Sequence, residues 1–359
     1  MEGPKKLAQF SFIGFTPKQV ITSKNGQTTI QNMESDEKTK IKSSDPLKVV
    51  EKVLGRKTYK SHLEKSRFVG GAVGYISYDS IRYWEKLPNH SVDDLKYPDL
   101  QMAVYDDGVV FDHIRGLTLY YYREEDRSRE LAELAEPNGP GSLSFTSPKV
   151  NITKEKYEEA VEGAKKYIFS GDIFQVVLSR RFGFNFRGDL TRFYLALREI
   201  NPSPYMYFLK MGERQIVGSS PEMLVRVERG NVETFPIAGT RPRVEDPEKN
   251  RVLARDLLAD EKECAEHVML VDLARNDLGR VSRFGSVCVP EFMQVHEYSH
   301  VQHIVSRVVG KLREDCSCYD ALRAVFPAGT VSGAPKAVSY THLRAHETPE
   351  HLVCRLLLE

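Results

Sequence analysis

The sequence lacks the features that would place it outside ordinary globular proteins. It has only five cysteines in 359 residues, and this low, odd number predicts a reducing cytoplasm and no disulfide scaffold. No apolar run approaches the length of a membrane span, and the polar residues 1–8 do not form a secretion signal. The net charge is only +1, which favours neither nucleic acid nor a membrane as a partner. With 41% hydrophobic residues, the chain is expected to fold around a sizeable core.

The first part of the chain consists mainly of strand-like runs. Residues 10–14 and the glycine- and aromatic-rich run 68–78 are predicted strands. Three further runs together predict a β-meander: 102–105, 108–111 and 116–122. Charged, helix-prone residues then lead into a stretch rich in proline and glycine, 136–142, which predicts a linker. We therefore expect a first region at 1–145.

The second region, 150–338, mixes helices with strands. Thr153 is the predicted N-cap of a helix that ends at Gly171. That helix is expected to bury one apolar stripe, formed by Tyr157, Ala160, Val161, Ala164 and Ile168. Further helices are predicted at 193–200, 247–277 and 319–325, and strands at 173–179, 205–209, 215–217 and 286–309. Strands and helices without regular β–α alternation predict an α+β fold.

The helix predicted at 260–277 carries the most informative pattern. Asp260 is a good N-cap, and Gly279 stops the run. Two acids, Glu263 and Glu266, share one helical stripe with apolar residues further along, which predicts partial burial of both carboxylates. Buried carboxylates need a cation, and oxygen ligands suit magnesium. The alternative, an exposed helix whose early acids only favour the helix dipole, stays open at this point.

The run His296-Glu-Tyr-Ser-His300 matches the zinc-protease motif letter for letter. That motif binds zinc only on a helix, where the two histidines stack one turn apart. Residues 301–306 alternate as in a strand, which would separate the imidazoles by ~13 Å. A zinc site is therefore not expected here.

Two tight turns and two single residues complete the candidate site. Residues 236–240 and 329–336 are rich in small residues, as in turns whose backbone amides approach an anion. Glu222 is either a solvated turn acid or a placed general acid, and His303 is either a core histidine or a catalytic one. The two turns can equally be ordinary Gly/Pro turns. Together these residues favour metal-assisted chemistry on a small anionic substrate.

The motifs, taken in order, resemble those of the chorismate-utilising enzymes, and most closely the anthranilate synthase component I branch. The matching stretches are 68–79, 171–180, 201–206, 218–222, 236–243, 260–277, 299–303 and 329–336. The resemblance implies mixed, mainly antiparallel sheets with helices packed outside. It also implies conversion of chorismate and ammonia to anthranilate and pyruvate, in the tryptophan pathway.

The resemblance also implies a role for each site residue. Magnesium is held by Glu266, with Glu263 beside it, and binds the ring carboxylate of chorismate. Glu222 protonates the departing ring hydroxyl, and His303 serves the loss of pyruvate and aromatisation. The implied substrate contacts are Ala238, Gly239, Thr240 and Thr330. A tryptophan feedback pocket is implied at Pro204, Tyr205 and Met206.

Two positions discriminate within the family. Relatives that add water carry a lysine base at the position of Gln175, and a glutamine cannot deprotonate water, which favours ammonia as the nucleophile. Aminodeoxychorismate synthases often carry a nucleophilic lysine at the position of Ala238, and alanine cannot attack. Ammonia would come from a separate glutamine amidotransferase subunit. The alternatives are an aminodeoxychorismate synthase without that lysine, or an inactive fragment that only docks the amidotransferase.

The family pattern stops after Lys336. We expect residues 339–359 to be a non-native tail, because they do not continue the motifs found up to that point. A second magnesium acid, a carboxylate-binding arginine and a glycine-rich substrate loop are missing, as is the family's Leu-Leu-Glu-Ser stretch before Ser11. The hypothesis from the sequence is therefore a truncated, inactive chorismate-binding domain.

Overall fold

The computed structural model describes residues 9–55, 68–87, 92–133, 139 and 141–338. Its strands, numbered in chain order, are β1 Phe10–Ile13, β2 Gln19–Lys24, β3 Gln27–Asn32, β4 Lys38–Lys42, β5 Gly71–Ile76, β6 Leu100–Tyr105, β7 Asp107–Asp112, β8 Leu117–Tyr122, β9 Leu143–Phe145, β10 Lys149–Val150, β11 Gln175–Val176, β12 Phe182–Gly183, β13 Phe186–Gly188, β14 Tyr205–Met211, β15 Arg214–Ser220, β16 Arg226–Glu228, β17 Asn231–Thr234, β18 Ile237–Pro242, β19 Cys288–Glu297, β20 Val301–Lys311 and β21 Gly333–Ala334. Its helices are α1 Pro46–Leu54, α2 Ser128–Ala132, α3 Lys154–Phe169, α4 Leu190–Ile200, α5 Pro247–Ala259, α6 Glu261–Gly279, α7 Cys318–Val325, α8 Gly329–Ser332 and α9 Lys336–Val338, with a 3₁₀ helix at Tyr78–Tyr83. All the pairings between these strands are antiparallel, so the expected α+β class is confirmed.

The first part of the chain forms two sheets and not one meander. A five-stranded sheet has the order β4-β3-β2-β6-β5, and a three-stranded sheet has the order β1-β7-β8. The predicted β-meander is therefore wrong in one respect: β6 pairs with β2 and β5, and only β7 and β8 form the expected hairpin. Strands β2 to β4 were not predicted, because their apolar positions are few and interleaved with polar residues. Helix α1 was missed although it has an Asp45 cap, a proline in its first turn and an amphipathic pattern.

The second large sheet carries the residues of interest. It has the order β16-β17-β20-β18, and β19 pairs with β20 as well. On the long strand β20 every second residue from Gln302 to Val308 is buried, and Val305 on the other face is buried as well. Helices α5 and α6 pack against this sheet, with α6 in contact with both β18 and β20. Helix α6 therefore covers the buried face of the sheet.

The hydrophobic core extends across both parts of the chain. Residues Ile21, Leu47 and Met102 of the first part lie in one cluster with Leu322 and Phe326, which belong to the segment around α7. A second cluster joins α6, α7 and the large sheet. The division into 1–145 and 150–338 stays a prediction. The linker proposed at 136–142 lies mostly outside the described residues, and the proposed tail at 339–359 lies wholly outside them.

The segment 143–200 is much less buried than expected. Helix α3 begins after its Thr153 cap as predicted, but only Ala164 of the predicted stripe is buried, and Ile168 is exposed. Helix α4 buries none of its residues. The predicted strand 173–179 is reduced to the two residues of β11. Helix α4 does contact β9 and β15, and its Tyr194 ring stacks on Phe208 of β14, but these contacts leave every α4 residue at least partly exposed.

Helix length and hydropathy give no candidate for a membrane span. Among the described residues, no helix is both long enough and apolar enough to cross a bilayer.

Candidate active site

Helix α6 positions the two predicted metal acids. Asp260 caps it by accepting hydrogen bonds from the backbone N–H groups of Lys262 and Glu263, as predicted. Glu263 and Glu266 are both half-buried on the face that meets the sheet. They do not point into bulk solvent.

Glu266 receives its hydrogen bond from a residue far away in the sequence. The side-chain amide of Gln175 donates to Glu266 Oε1 at 3.0 Å. Gln175 reaches this position because β11 pairs with β21, which places it opposite Ala334. The other end of the amide, Gln175 Oε1, is buried and accepts no hydrogen bond from the described residues. The structure therefore leaves one buried acceptor beside a metal acid.

Glu263 lies against a turn that only glycine can form. Gly239 has a φ of 69° within a bulge of β18. A Cβ at this position would lie 3.0 Å from Leu257 Cδ1 and 3.3 Å from Glu263 Oε2. Both the backbone angle and the space therefore require glycine. The neighbouring Ala238 is buried and has no group that could react.

His303 is held on the other side of the same glycine. Its Nδ1 lies 2.9 Å from the Gly239 carbonyl oxygen and 3.2 Å from Thr240 Oγ1. A carbonyl can only accept, so the Nδ1 proton is donated to Gly239, and Nε2 carries the lone pair of the neutral ring. The Tyr298 ring packs edge-on against the imidazole, with centroids 5.4 Å apart. His303 is therefore oriented by contacts and is not a buried core histidine.

The zinc-protease alternative is excluded by the strands. His296 lies in β19 and pairs with His303 of β20, while Ser299 and His300 lie in the connecting turn. The two histidines therefore do not stack on a helix, as expected, but the run is a strand end followed by a turn and not the continuous strand that was predicted.

Glu222 and Thr330 form a second centre. The Thr330 hydroxyl donates to Glu222 Oε2 at 2.7 Å. Burial raises the pKa of Glu222 to about 7, although the Thr330 hydrogen bond lowers that pKa in part. A carboxyl group with this pKa is about half protonated at neutral pH, which suits a general acid.

A small cavity adjoins Glu222. It has a volume of about 40 Å³ and is lined by Glu222, Thr234, Leu270, Leu273, Asp277 and Thr330, among others. This space can hold one or two water molecules and is too small for a ring substrate. The cavity is therefore only the part of the binding site next to the Glu222 carboxyl, and not the whole site.

The loop 326–336 packs along α6. A Cβ on Gly329 would lie 2.2 Å from Leu273 Cδ2, so glycine permits the close approach. At the end of the loop, Lys336 Nζ donates to Asp277 Oδ2 at 2.5 Å and to the Val325 carbonyl. Burial raises the pKa of Asp277 to about 6, and the ammonium of Lys336 opposes that shift.

Asp277 and the role of Lys336 were missed in the sequence. Asp277 lies about three turns after Glu266, on the same side of α6, so the helical period could have found it. The pairing with Lys336 had no signal in the sequence, because it joins two elements through tertiary packing.

The acids of α6 fit magnesium but do not form a complete protein cage. Among the described ranges, no three His, Cys, Asp or Glu side chains are grouped to hold a metal ion. Glu263 is only weakly compensated, with Arg241 Nη1 4.0 Å away and itself bound to Asp256 and Asp260. Magnesium commonly takes one or two protein carboxylates and completes its shell with water and substrate oxygens. The pair therefore matches this ion.

The predicted inhibitor residues lie apart from α6. Tyr205 and Met206 open β14 and pair with Ser220 and Ser219 of β15, while Pro204 is buried just before the strand. They are thus connected to the candidate acid Glu222 through the end of β15. Their assignment to a tryptophan pocket stays a prediction.

Solved structures share this architecture. Anthranilate synthase component I from Streptococcus pneumoniae TIGR4 superposes with a TM-score of 0.83 and 36% identity, over 97% of this chain and 79% of that one. The menaquinone-specific isochorismate synthase of Escherichia coli matches with a TM-score of 0.65 at 18% identity, which supports the fold alone. A family model described as chorismate binding enzyme matches residues 1–350. The chain belongs to the chorismate-binding enzyme family.

Relatives found by sequence show which members of that family this chain is similar to. The chain is 47% identical over 353 residues to anthranilate synthase component 1 of Methanothermobacter marburgensis, covering 98% of this chain and 73% of the relative. It is 43% identical over 360 residues to the protein of that name in Pseudomonas aeruginosa, covering 94% and 73%. This chain is therefore similar to anthranilate synthase component 1 along almost all of its length.

Proposed function

We propose that the protein converts chorismate and ammonia to anthranilate, pyruvate and water, as the large component of an anthranilate synthase. The main support is one arrangement along α6. Glu263 lies at the Gly239 turn that holds His303, Glu266 binds Gln175, and the Glu222–Thr330 pair lies one to two turns further on. The relatives that carry the name anthranilate synthase component 1 support the same activity.

Glu263 and Glu266 would hold Mg²⁺, which neutralises the ring carboxylate of chorismate when bound. Both carboxylates are half-buried, and Arg241 Nη1 lies 4.0 Å from Glu263 Oε1. The two acids would bind the ion, and the Gly239–Thr240 turn lies beside Glu263, where a substrate carboxylate would sit.

Gln175 supports ammonia as the nucleophile. The amide nitrogen of Gln175 donates to Glu266, so the amide oxygen Oε1 points away from that carboxylate. Gln175 Oε1 is buried and has no hydrogen-bond partner among the described residues. An amide oxygen cannot remove a proton from water, but it can accept a hydrogen bond from ammonia and orient the nitrogen lone pair. Ammonia would add to the ring carbon next to the carboxylate.

Glu222 would protonate the ring hydroxyl, which leaves as water. Its raised pKa keeps a proton available near neutral pH. In the second half of the reaction, His303 Nε2 would take the proton from the ring carbon that carries the new amino group, and the ring carbon–oxygen bond to the enolpyruvyl group breaks. The departing enolate takes up a proton on its methylene carbon and becomes pyruvate. The Nδ1–H bond to Gly239 keeps Nε2 in the basic form for this step.

The partners and location follow from the same proposal. Ammonia would be supplied by a glutamine amidotransferase subunit, and tryptophan would inhibit by binding near Pro204, Tyr205 and Met206. The protein would act in the cytoplasm, in tryptophan biosynthesis. An aminodeoxychorismate synthase is the second candidate, but Ala238 offers no amine for the covalent route.

The test is an assay of the 359-residue chain with chorismate, Mg²⁺ and ammonium salts, with product isomers separated by chromatography. The ortho isomer supports the proposal, and the para isomer supports aminodeoxychorismate synthase. If neither forms and the chain still binds the amidotransferase subunit, it is the inactive, docking-only form. Replacing ammonium with glutamine and that subunit tests the partner.

A further inference from the structure

One buried polar pair between α6 and β20 has no role in the chemistry described above. His267 follows Glu266 on α6, and both His267 and Ser306 of β20 are fully shielded from solvent. His267 Nε2 and Ser306 Oγ are 2.6 Å apart. Ser306 Oγ also accepts the backbone N–H of Met293 at 2.9 Å. The hydrogen bonds at Ser306 therefore tie α6 and β19 to β20.

The pair is not explained by packing alone. His267 Nδ1 has no hydrogen-bond partner among the described residues, and an unsatisfied buried nitrogen destabilises a fold. Apolar residues of similar shape at both positions would avoid that cost. Burial also lowers the pKa of His267 to about 4, so the ring is neutral at pH 7 and supplies no charge. What the pair adds to packing is therefore a directional hydrogen bond between α6 and β20.

The His267–Ser306 hydrogen bond lies between the carboxylates of α6 and His303 of β20, and the separation of these groups matters for the proposed reaction. On α6, His267 adjoins Glu266, and Glu263 lies one turn earlier. On β20, Ser306 lies three residues after His303. Apolar contacts such as those of Leu270 are non-directional, so they tolerate small shifts of a helix on a sheet more readily than a hydrogen bond does. A hydrogen bond of 2.6 Å fixes one point of contact.

We infer that His267 and Ser306 are positioning residues, whose hydrogen bond sets the carboxylates of α6 against the strand that carries His303. Neither side chain touches the substrate. The inference rests on the proposed function, because the carboxylates need a fixed position only if they hold a cation.

The experiment measures Mn²⁺ binding by electron paramagnetic resonance, with urea unfolding of each variant in parallel. Ser306→Ala and His267→Phe remove the hydrogen bond and are expected to raise the Mn²⁺ dissociation constant about tenfold. His267→Gln retains both a hydrogen-bond donor and an acceptor in its side-chain amide and is expected to restore most of the affinity. Ser282→Ala is the matched control, because it removes a buried hydroxyl that has no hydrogen-bond partner, and less than a twofold change is expected. Ser306→Cys, of similar size, replaces Ser306→Ala if that variant does not fold.

Two results overturn the inference. In the first, Ser306→Ala and His267→Phe are less stable but bind Mn²⁺ like the wild type, so the pair is structural only. In the second, Ser282→Ala weakens binding as much as Ser306→Ala does. Glu266→Gln separates this inference from the proposed function. If Glu266→Gln binds Mn²⁺ like the wild type, or the wild type binds none, both fail. If Glu266→Gln alone weakens binding, only the positioning role fails.

Discussion

Helices α4 and α6 differ in a way that their sequences do not suggest. Helix α4 separates apolar from polar residues more cleanly than α6, yet it buries none of its residues among the described part of the chain. Helix α6 buries His267, Leu270, Val271, Ala274 and Leu278. An amphipathic pattern therefore specifies an apolar face but not the element that covers it.

The same contrast extends to the surroundings of the two helices. Near α3, Phe169 is 88% exposed and Phe174 is 72% exposed. Along α6, by contrast, the side chains meet the large sheet, α7 and the loop 326–336. All the candidate acids and His303 lie at or beside this packed unit. Reacting groups need a rigid support to stay within a fraction of an ångström of their working positions.

Core truncation should give the largest difference between the two helices. Leu278→Ala removes a fully buried side chain from α6 and is expected to lower the free energy of unfolding by about 2–5 kcal/mol. Phe193→Ala on α4 removes a half-exposed ring and should cost under about 1 kcal/mol. Urea unfolding followed by circular dichroism measures both. Equal losses would mean that the face of α4 is covered in solution.

Removal of a carboxylate charge should lower the activity when the acid lies on α6, but not when it lies on α3. Glu266→Gln is expected to lower kcat/KM about 100-fold, because a neutral amide holds Mg²⁺ poorly. Glu162→Gln on α3 removes an exposed acid that pairs with Lys165 and should leave the rate within about twofold. Steady-state assays across a range of Mg²⁺ concentrations test this. A Glu266→Gln enzyme with wild-type kinetics would remove Glu266 from the metal site.

Gly212 and Gly239 have similar backbone angles but different surroundings, so alanine at each position compares an open turn with a packed one. Gly212, in the turn between β14 and β15, has a φ of 65° and open space around it, while Gly239 has a φ of 69° and close neighbours. Alanine at Gly212 should cost about 1 kcal/mol for the backbone alone. Alanine at Gly239 should cost about 1–2 kcal/mol more, because Leu257 and Glu263 must move. Comparison of thermal unfolding midpoints is the measurement, and equal shifts would show that the Gly239 turn yields easily.

The smallest expected effect is a shift of the pH profile. Activity that needs protonated Glu222 should fall as pH rises through about 7. The Thr330 hydrogen bond favours the charged form, so Thr330→Val should move this limb upward by up to about one pH unit. Thr234→Val is the control, because Thr234 lines the same cavity but donates to the Leu224 carbonyl. The measurement is kcat/KM against pH, and a downward shift would show that Glu222 is not the titrating acid.

The same pKa sets the direction of a stability effect. The folded-state pKa of Glu222, about 7, lies above its ordinary value of 4.5, so the folded protein binds more protons between these values. The contribution of Glu222 to stability is therefore present below pH 4.5 and is lost as pH rises through about 7.

Local chemistry explains which features were predictable. The Asp260 cap, the start of α6 and the strand at 301–306 follow from patterns within a few residues, and all three are confirmed. The end of α6 is not, because the helix runs through Gly279, which was expected to stop it. The burial of α3 was predicted wrongly, because burial depends on a partner element. The pairing of β6 with β2 and β5 was missed because strand neighbours in sequence need not be neighbours in a sheet.

The sequence by itself determined the acids, the glycine turns and the helix that carries them, because caps, periodicity and backbone angles are local properties. Only the tertiary structure decided that Gln175 donates to Glu266, that Thr330 meets Glu222 and that Asp277 pairs with Lys336. These contacts join residues from 59 to 108 positions apart. The directions and distances of such contacts are set by sheet register and helix packing, which no short stretch of sequence specifies.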